Sequence, residues 1–168
     1  MTWVAILMGS ESDWPVMQIA ADTLAGLEIR CEVRITSAHR TPKATANYVA
    51  DAESRGCHAF ICGAGMAAHL AGAVAALTIR PVIGVPLDAS PLAGFDALLA
   101  TVQIPGGIPV AAVAVGQAGA KNAAYLSAQI LALADEQLAA RIRADRDASA
   151  ARVTQQDVRL AEQRGEKR

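Results

Sequence analysis

Aromatic residues are scarce in this 168-residue chain, at 4%, with two each of Trp, Tyr and Phe. Few rings are therefore on hand to stack against a flavin. Excess charge of either sign is also missing. Lys and Arg number 15, Asp and Glu 16, for a net charge of −1. That balance gives no electrostatic case for nucleic acid or an anionic membrane as partner. Cysteines are three, Cys31, Cys57 and Cys62, an odd count without paired spacing, so no disulfide framework is expected. Cys31 and Cys62 fall in expected strands and read as buried thiols of a reducing compartment. No apolar run is long enough to span a bilayer. Met1-Thr2-Trp3 enters a strand without a basic leader, so the chain reads as a soluble cytoplasmic protein. There is no G-x-G-x-x-G fingerprint, no Walker-type G-K-[ST] and no G-x-S-x-G elbow. His39 and His69 lack the spacing of zinc motifs, and the cysteines do not join them, so no metal site is expected.

What the chain does have is apolar content, 53% of residues and much of it Ala, which favours closely packed helices. Trp3 to Met8 is a continuous apolar run, the mark of a strand buried on both faces. A helix follows to Gly26, then a strand from Ile29 to Thr36 and a helix from Pro42 to Arg55. Further strands are expected at Ala59–Cys62, Pro81–Pro86 and Val110–Val115. Helices are expected at Ala67–Leu77, Leu92–Val102 and, as one long Ala-rich stretch, Gly116–Leu138. Strands alternating with helices predict an α/β fold, a parallel sheet covered on both faces. Residues 1–138 read as a single α/β catalytic domain. Beyond Ala139 the composition shifts: 13 of the last 30 residues are charged, against 18 of the first 138. Residues 139–168 thus read as a charged, solvated C-terminal helix with a frayed tail.

Three strand-to-helix connections hold the chemistry. They are Gly9-Ser10-Glu11-Ser12-Asp13, Ser37-Ala38-His39-Arg40-Thr41 and Gly63 to His69. In a parallel sheet they leave the same edge, where ligands bind in open α/β folds. Arg40 supplies a fixed cation whose donor fork suits phosphate. Imidazoles such as His39 exchange protons near neutral pH. Ser10, Ser12 and Ser37 add hydroxyls, and helix N-termini favour an anion. The bare amides of Gly63-Ala64-Gly65 suit a small anion, even a carboxylate. A solvated connection would also carry polar residues. Asp13 reads equally as a helix cap or as a ligand for sugar hydroxyls, and Ser12 and Thr41 also suit cap positions. His69, in the first turn of the expected helix, reads as structural before catalytic.

Several stretches go further than these local readings. They are Gly9-Ser10-x-Ser12-Asp13-Trp14, Ser37-Ala38-His39-Arg40-Thr41-Pro42, Gly63-Ala64-Gly65-x-Ala67-Ala68-His69-Leu70, Gly84-Val85-Pro86, Val102-Gln103-x-Pro105-Gly106-Gly107-x-Pro109-Val110 and Gly119-Ala120-Lys121-Asn122-Ala123-Ala124. In this order, over roughly Val4 to Leu138, they resemble the class I N5-carboxyaminoimidazole ribonucleotide mutases, the phosphoribosylaminoimidazole carboxylase catalytic subunit family of purine biosynthesis. The resemblance implies a three-layer αβα sandwich with a central parallel sheet, flavodoxin-like, assembled as a homo-octamer. It implies an isomerase that moves a carboxylate from the exocyclic nitrogen of the imidazole ribonucleotide to ring carbon four, with no metal, ATP or biotin. By position His39 matches the general acid/base. Ser10, Asp13 and Arg40 match substrate-binding residues, with Asp13 on the ribose and Arg40 near the phosphate. Ser12, Ser37, Ala38, Gly65, His69 and Leu70 match further pocket positions. The alternatives are a class II carboxylase using free carbon dioxide and a non-catalytic flavodoxin-like nucleotide-binding module. Met66, Ala71 and Ala89 stand where relatives are expected to carry Gly, Pro and Ser. Met enters left-handed backbone less freely than Gly, so the third connection is expected either to be altered or not to need that geometry.

Overall fold

The structure is a computed structural model describing residues 2–165. Five parallel strands form one sheet in the order β2-β1-β3-β4-β5. They are β1 (Trp3–Met8), β2 (Arg30–Ile35), β3 (Cys57–Gly65), β4 (Val82–Leu87) and β5 (Ala111–Ala112). Six helices connect or follow them: α1 (Trp14–Gly26), α2 (Pro42–Ser54), α3 (Leu70–Ala75), α4 (Phe95–Val102), α5 (Gln117–Ala132) and α6 (Glu136–Gln163). The expected three-layer, flavodoxin-like arrangement is present, with β1 inside the sheet between β2 and β3.

The run WVAILM explains that position. Strand side chains alternate faces. Val4, Ile6 and Met8 join a core with α1 and α5 on one face; Trp3, Ala5 and Leu7 join a second core with α2 and α3 on the other. All six are buried. Each large side chain so enclosed contributes about 2 kcal/mol. β2, at the sheet edge, is half-exposed and charged, with Arg30, Glu32 and Arg34. Cys31 is accordingly only half-buried, while Cys57 and Cys62 are enclosed, and burial pushes both of their thiols up. Glu32 accepts a paired contact from Arg55 at 2.7 and 2.9 Å, which holds its carboxyl below the usual range. Arg55 also lies 4.9 Å from the Trp3 ring centre and accepts that indole's N–H on its carbonyl. These contacts brace the end of α2, the helix behind the His39 connection.

The boundaries differ from expectation at four places. β3 runs through to Gly65 because Ala64 and Gly65 still pair with Pro86 and Leu87 of β4. α3 starts only at Leu70, since Met66 takes a left-handed backbone that no helix continues through. β5 is two residues long: it is an edge strand pairing only with Ile83 and Gly84. The long C-terminal helix is broken, because Asp135 adopts an extended backbone and its side chain accepts the Leu138 N–H at 2.9 Å, capping α6. α6 then runs across the change in composition at residue 139. Leu138 and Ile142 anchor it in the core, Arg141 donates to the Leu27 carbonyl, and the Tyr125 hydroxyl donates to Asp145. The last three residues of the expected tail lie outside the described residues. Among the described residues no helix is long and apolar enough to cross a membrane.

Candidate active site

β2 and β3 flank β1, so the connections leaving all three meet above its C-terminal end. This is the point where the strand order reverses, the usual ligand crevice of such sheets. A cavity of about 430 Å³ lies there. The first connection contributes Ser10, Ser12 and Asp13 to its lining; the second contributes Ser37, Ala38, His39 and Arg40. The third contributes Gly65, His69 and Leu70. All ten residues singled out in the sequence therefore share one cavity. Met66 and Ala89, which stand where the resemblance implies Gly and Ser, line it too. A larger hollow of about 830 Å³ sits at the other edge of the sheet, around Leu77, Ile79, Arg80 and Pro81. Its walls are mainly apolar and bring together no comparable set of serines, imidazoles and acid.

The first connection is a single turn of 3-10 helix, Glu11–Asp13. Ser10 Oγ accepts from the N–H and hydroxyl of Ser12, and Asp13 Oδ2 accepts the Ser10 N–H at 3.1 Å. Neither Ser12 nor Asp13 caps α1: Asp13 makes no side-chain cap bond to it and turns back to its own loop. Burial raises the Asp13 carboxyl above its usual value, against the lowering effect of the Ser10 and Gly9 amides and of Arg40. A carboxylate held this way keeps one oxygen for a ligand.

The second connection is stapled by Thr41. Its Oγ1 accepts the Ser37 N–H at 2.9 Å rather than capping α2. Thr36, which is buried, bonds Thr45 at 2.7 Å and ties the loop's base to α2. Ser37 Oγ accepts from the Arg40 N–H at 3.1 Å and from Arg40 Nε at 3.4 Å. Arg40 Nη2 reaches across to the Gly9 carbonyl at 2.6 Å. Thus Arg40 links the first two connections while its positive charge stays at the cavity.

The third connection brings the second imidazole. His39 Nε2 and His69 Nδ1 stand 2.6 Å apart, ring centres 4.8 Å, with the rings nearly perpendicular. At that separation the two nitrogens are hydrogen-bonded, one donating and the other accepting. His69 immediately precedes α3 instead of sitting within it. The residues alone read His69 as structural and only the resemblance makes it a pocket position; the pairing stays hidden because the two histidines are thirty positions apart in the chain. The available signal was topological: the connections after β2 and β3 reach toward each other over β1. Gly9 was missed as well, because its contribution is a backbone carbonyl. Met66 sits at φ 55°. The left-handed turn is therefore kept without glycine, at a cost of roughly 1–2 kcal/mol.

Comparisons with known proteins follow the same lines. Residues 3–152 match the family model described as AIR carboxylase. The N5-carboxyaminoimidazole ribonucleotide mutase of Brucella melitensis is 54% identical over 139 residues, covering 83% of this chain and 86% of that protein. The mutase of the same name from Escherichia coli is 50% identical over 139 residues, 83% of this chain and 82% of that protein. The crystal structure of Treponema denticola PurE superposes with a TM-score of 0.86 at 30% identity, over 95% of this chain and 99% of that one. Across sequence and fold, the chain belongs to the AIR carboxylase family.

Proposed function

We propose that this chain interconverts N5-carboxyaminoimidazole ribonucleotide and 4-carboxy-5-aminoimidazole ribonucleotide, as a mutase of purine biosynthesis in the cytoplasm. The observation that carries the reading is the paired imidazoles of His39 and His69, 2.6 Å apart, beside an Arg and a set of serines suited to a phosphorylated sugar. Arg40, with Ser10, Ser12 and Ser37, holds the phosphate end, and Asp13 accepts from ribose hydroxyls. The Gly65 amide, Ala38 and Leu70 frame the imidazole ring and its carboxylate.

The carbamate C–N bond breaks and its electron pair stays on nitrogen, which takes a proton from His39. Carbon dioxide remains in the cavity. The electron-rich ring carbon attacks it, forming the C–C bond, and His39 recovers the proton that this carbon then loses. One residue serves both steps because the first leaves it as the base the second requires. When His39 is the acid, both its nitrogens carry protons. Nδ1 of His69 is then the acceptor for Nε2–H, which orients the ring and leaves Nδ1 of His39 for the exchange. His69 is thus a positioning residue for His39.

The test is direct. Purified protein given the carbamate at minimal bicarbonate converts it to the C-carboxylated isomer; conversion only from aminoimidazole ribonucleotide and carbon dioxide overturns the reading. Asp13 gives a second check. Its raised carboxyl means that the native state binds this proton more tightly than the unfolded chain does. Stability is accordingly lost as pH rises through the interval between the ordinary carboxylate value and the raised one. Asp13→Asn is expected to raise Tm at pH 7, with the gain vanishing in acid, while KM rises about tenfold as a charged acceptor is lost. Thermal melts at several pH values, paired with kinetics, measure both.

In the single chain His39, His69 and Arg40 are exposed, and copies of the chain are needed to exclude water from the reaction. α4 supports such assembly. Its inner positions, Ala97 and Thr101, are buried, while Phe95, Leu99 and Val102 form one exposed apolar ridge. The assembly is a homo-octamer. Phe95→Asp with Leu99→Asp is expected to yield smaller species by mass photometry, with activity falling as the octamer is lost.

A further inference from the structure

We propose that Met66 is the rim residue that retains carbon dioxide between the two steps, an inference resting on the mutase reading above. Met66 lines the cavity and is also 59% exposed. Both hold together only at the mouth. The residue before it adds nothing there: a Cβ on Gly65 would meet the Ala89 Cβ at 2.5 Å. At the base of the third connection, backbone and Ala89 are therefore already in contact, and Met66 supplies the next large side chain.

Its backbone sharpens the point. Of the three described non-glycine residues in left-handed conformation, Glu28, Met66 and Ala93, only Met66 lines this cavity. Strain at a ligand site that glycine would relieve points to a use for the side chain. The other described methionines, Met8 and Met17, are buried. A thioether on three rotatable bonds conforms to a passing ligand and offers no hydrogen bond strong enough to hold water. It suits an apolar cover over a neutral gas.

The escape it opposes is simple. Once the C–N bond breaks and nitrogen is protonated, loss of carbon dioxide leaves aminoimidazole ribonucleotide, which departs as a side product. The experiment supplies the carbamate to the full-length protein in 13C-bicarbonate buffer. It measures 13C in the C-carboxylated product and the aminoimidazole ribonucleotide released. Met66→Gly is expected to raise both at least fivefold, with the assembly intact by mass photometry and Tm unchanged or higher. Met66→Leu, which restores apolar bulk, is expected to return both toward the wild-type values. Wild-type partitioning in Met66→Gly overturns the proposal, and so does a leak that accompanies loss of the assembly. If wild-type protein fails to convert the carbamate at all, the mutase reading itself fails and this inference falls with it.

Discussion

His39→Asn should lower kcat for carbamate isomerisation about a thousandfold while leaving substrate affinity within a few-fold of wild type. The magnitude is that of a positioned general acid/base. The expectation of intact binding has a separate origin. Ser10, Asp13, Ser37 and Arg40 are fixed by bonds among themselves and to the Gly9 carbonyl, and none of those bonds involves His39. Asn places its amide where Nδ1 of the imidazole stands, so the second connection keeps a polar side chain of similar shape while the Nε2 contact to His69 is lost. Calorimetric titration with the C-carboxylated ribonucleotide checks affinity, and single-turnover kinetics check chemistry. Retained turnover would remove His39 from proton transfer. His69→Ala should give a smaller loss, in kcat rather than KM, because it removes the partner that orients the His39 ring but not the group that exchanges the proton.

The contrast between those two residues reflects what sequence could say about each. The apolar run of β1, the alternation of elements and the polar strand ends together located a ligand edge. That edge is where Ser10, Ser12, Asp13, Ser37, His39 and Arg40 are found. These features are local, repeated at short range and enforced by burial. What stayed hidden was relational. His69 meets His39 only because the strand order places β2 and β3 on either side of β1. The caps read for Ser12, Asp13 and Thr41 failed for a related reason. Asp13 and Thr41 accept the nearest unmatched backbone N–H, those of Ser10 and Ser37, and the Ser12 hydroxyl donates to Ser10 Oγ, so each side chain is engaged in its tight loop before the helix begins. The break between α5 and α6 was locally visible in Asp135, but about five turns of Ala-rich pattern precede it, and helix propensity through Leu133 and Ala134 outweighed one capping residue. Met66 is the converse case. Its residue type argued against a left-handed turn, and its backbone takes one where the chain leaves β3.

Arg40→Ala should reduce kcat/KM by two to three orders of magnitude, mostly through KM. Two losses combine. The guanidinium no longer meets the substrate phosphate, a charge-assisted contact worth about 3–4 kcal/mol in a ligand site. The bridge from the second connection to the Gly9 carbonyl also goes, so the serines on the two loops are less well aligned. Arg40→Lys separates these effects. It restores the charge but not the fork, and should recover about tenfold. The sharper discrimination uses the substrate itself. A dephosphorylated nucleoside lacks the group that Arg40 is proposed to bind. Wild-type protein should therefore prefer the nucleotide strongly, and Arg40→Ala should erase most of that preference while handling the nucleoside nearly as wild type does. A preference that survives the substitution would mean that the phosphate lies elsewhere and that Arg40 only fastens one loop to another.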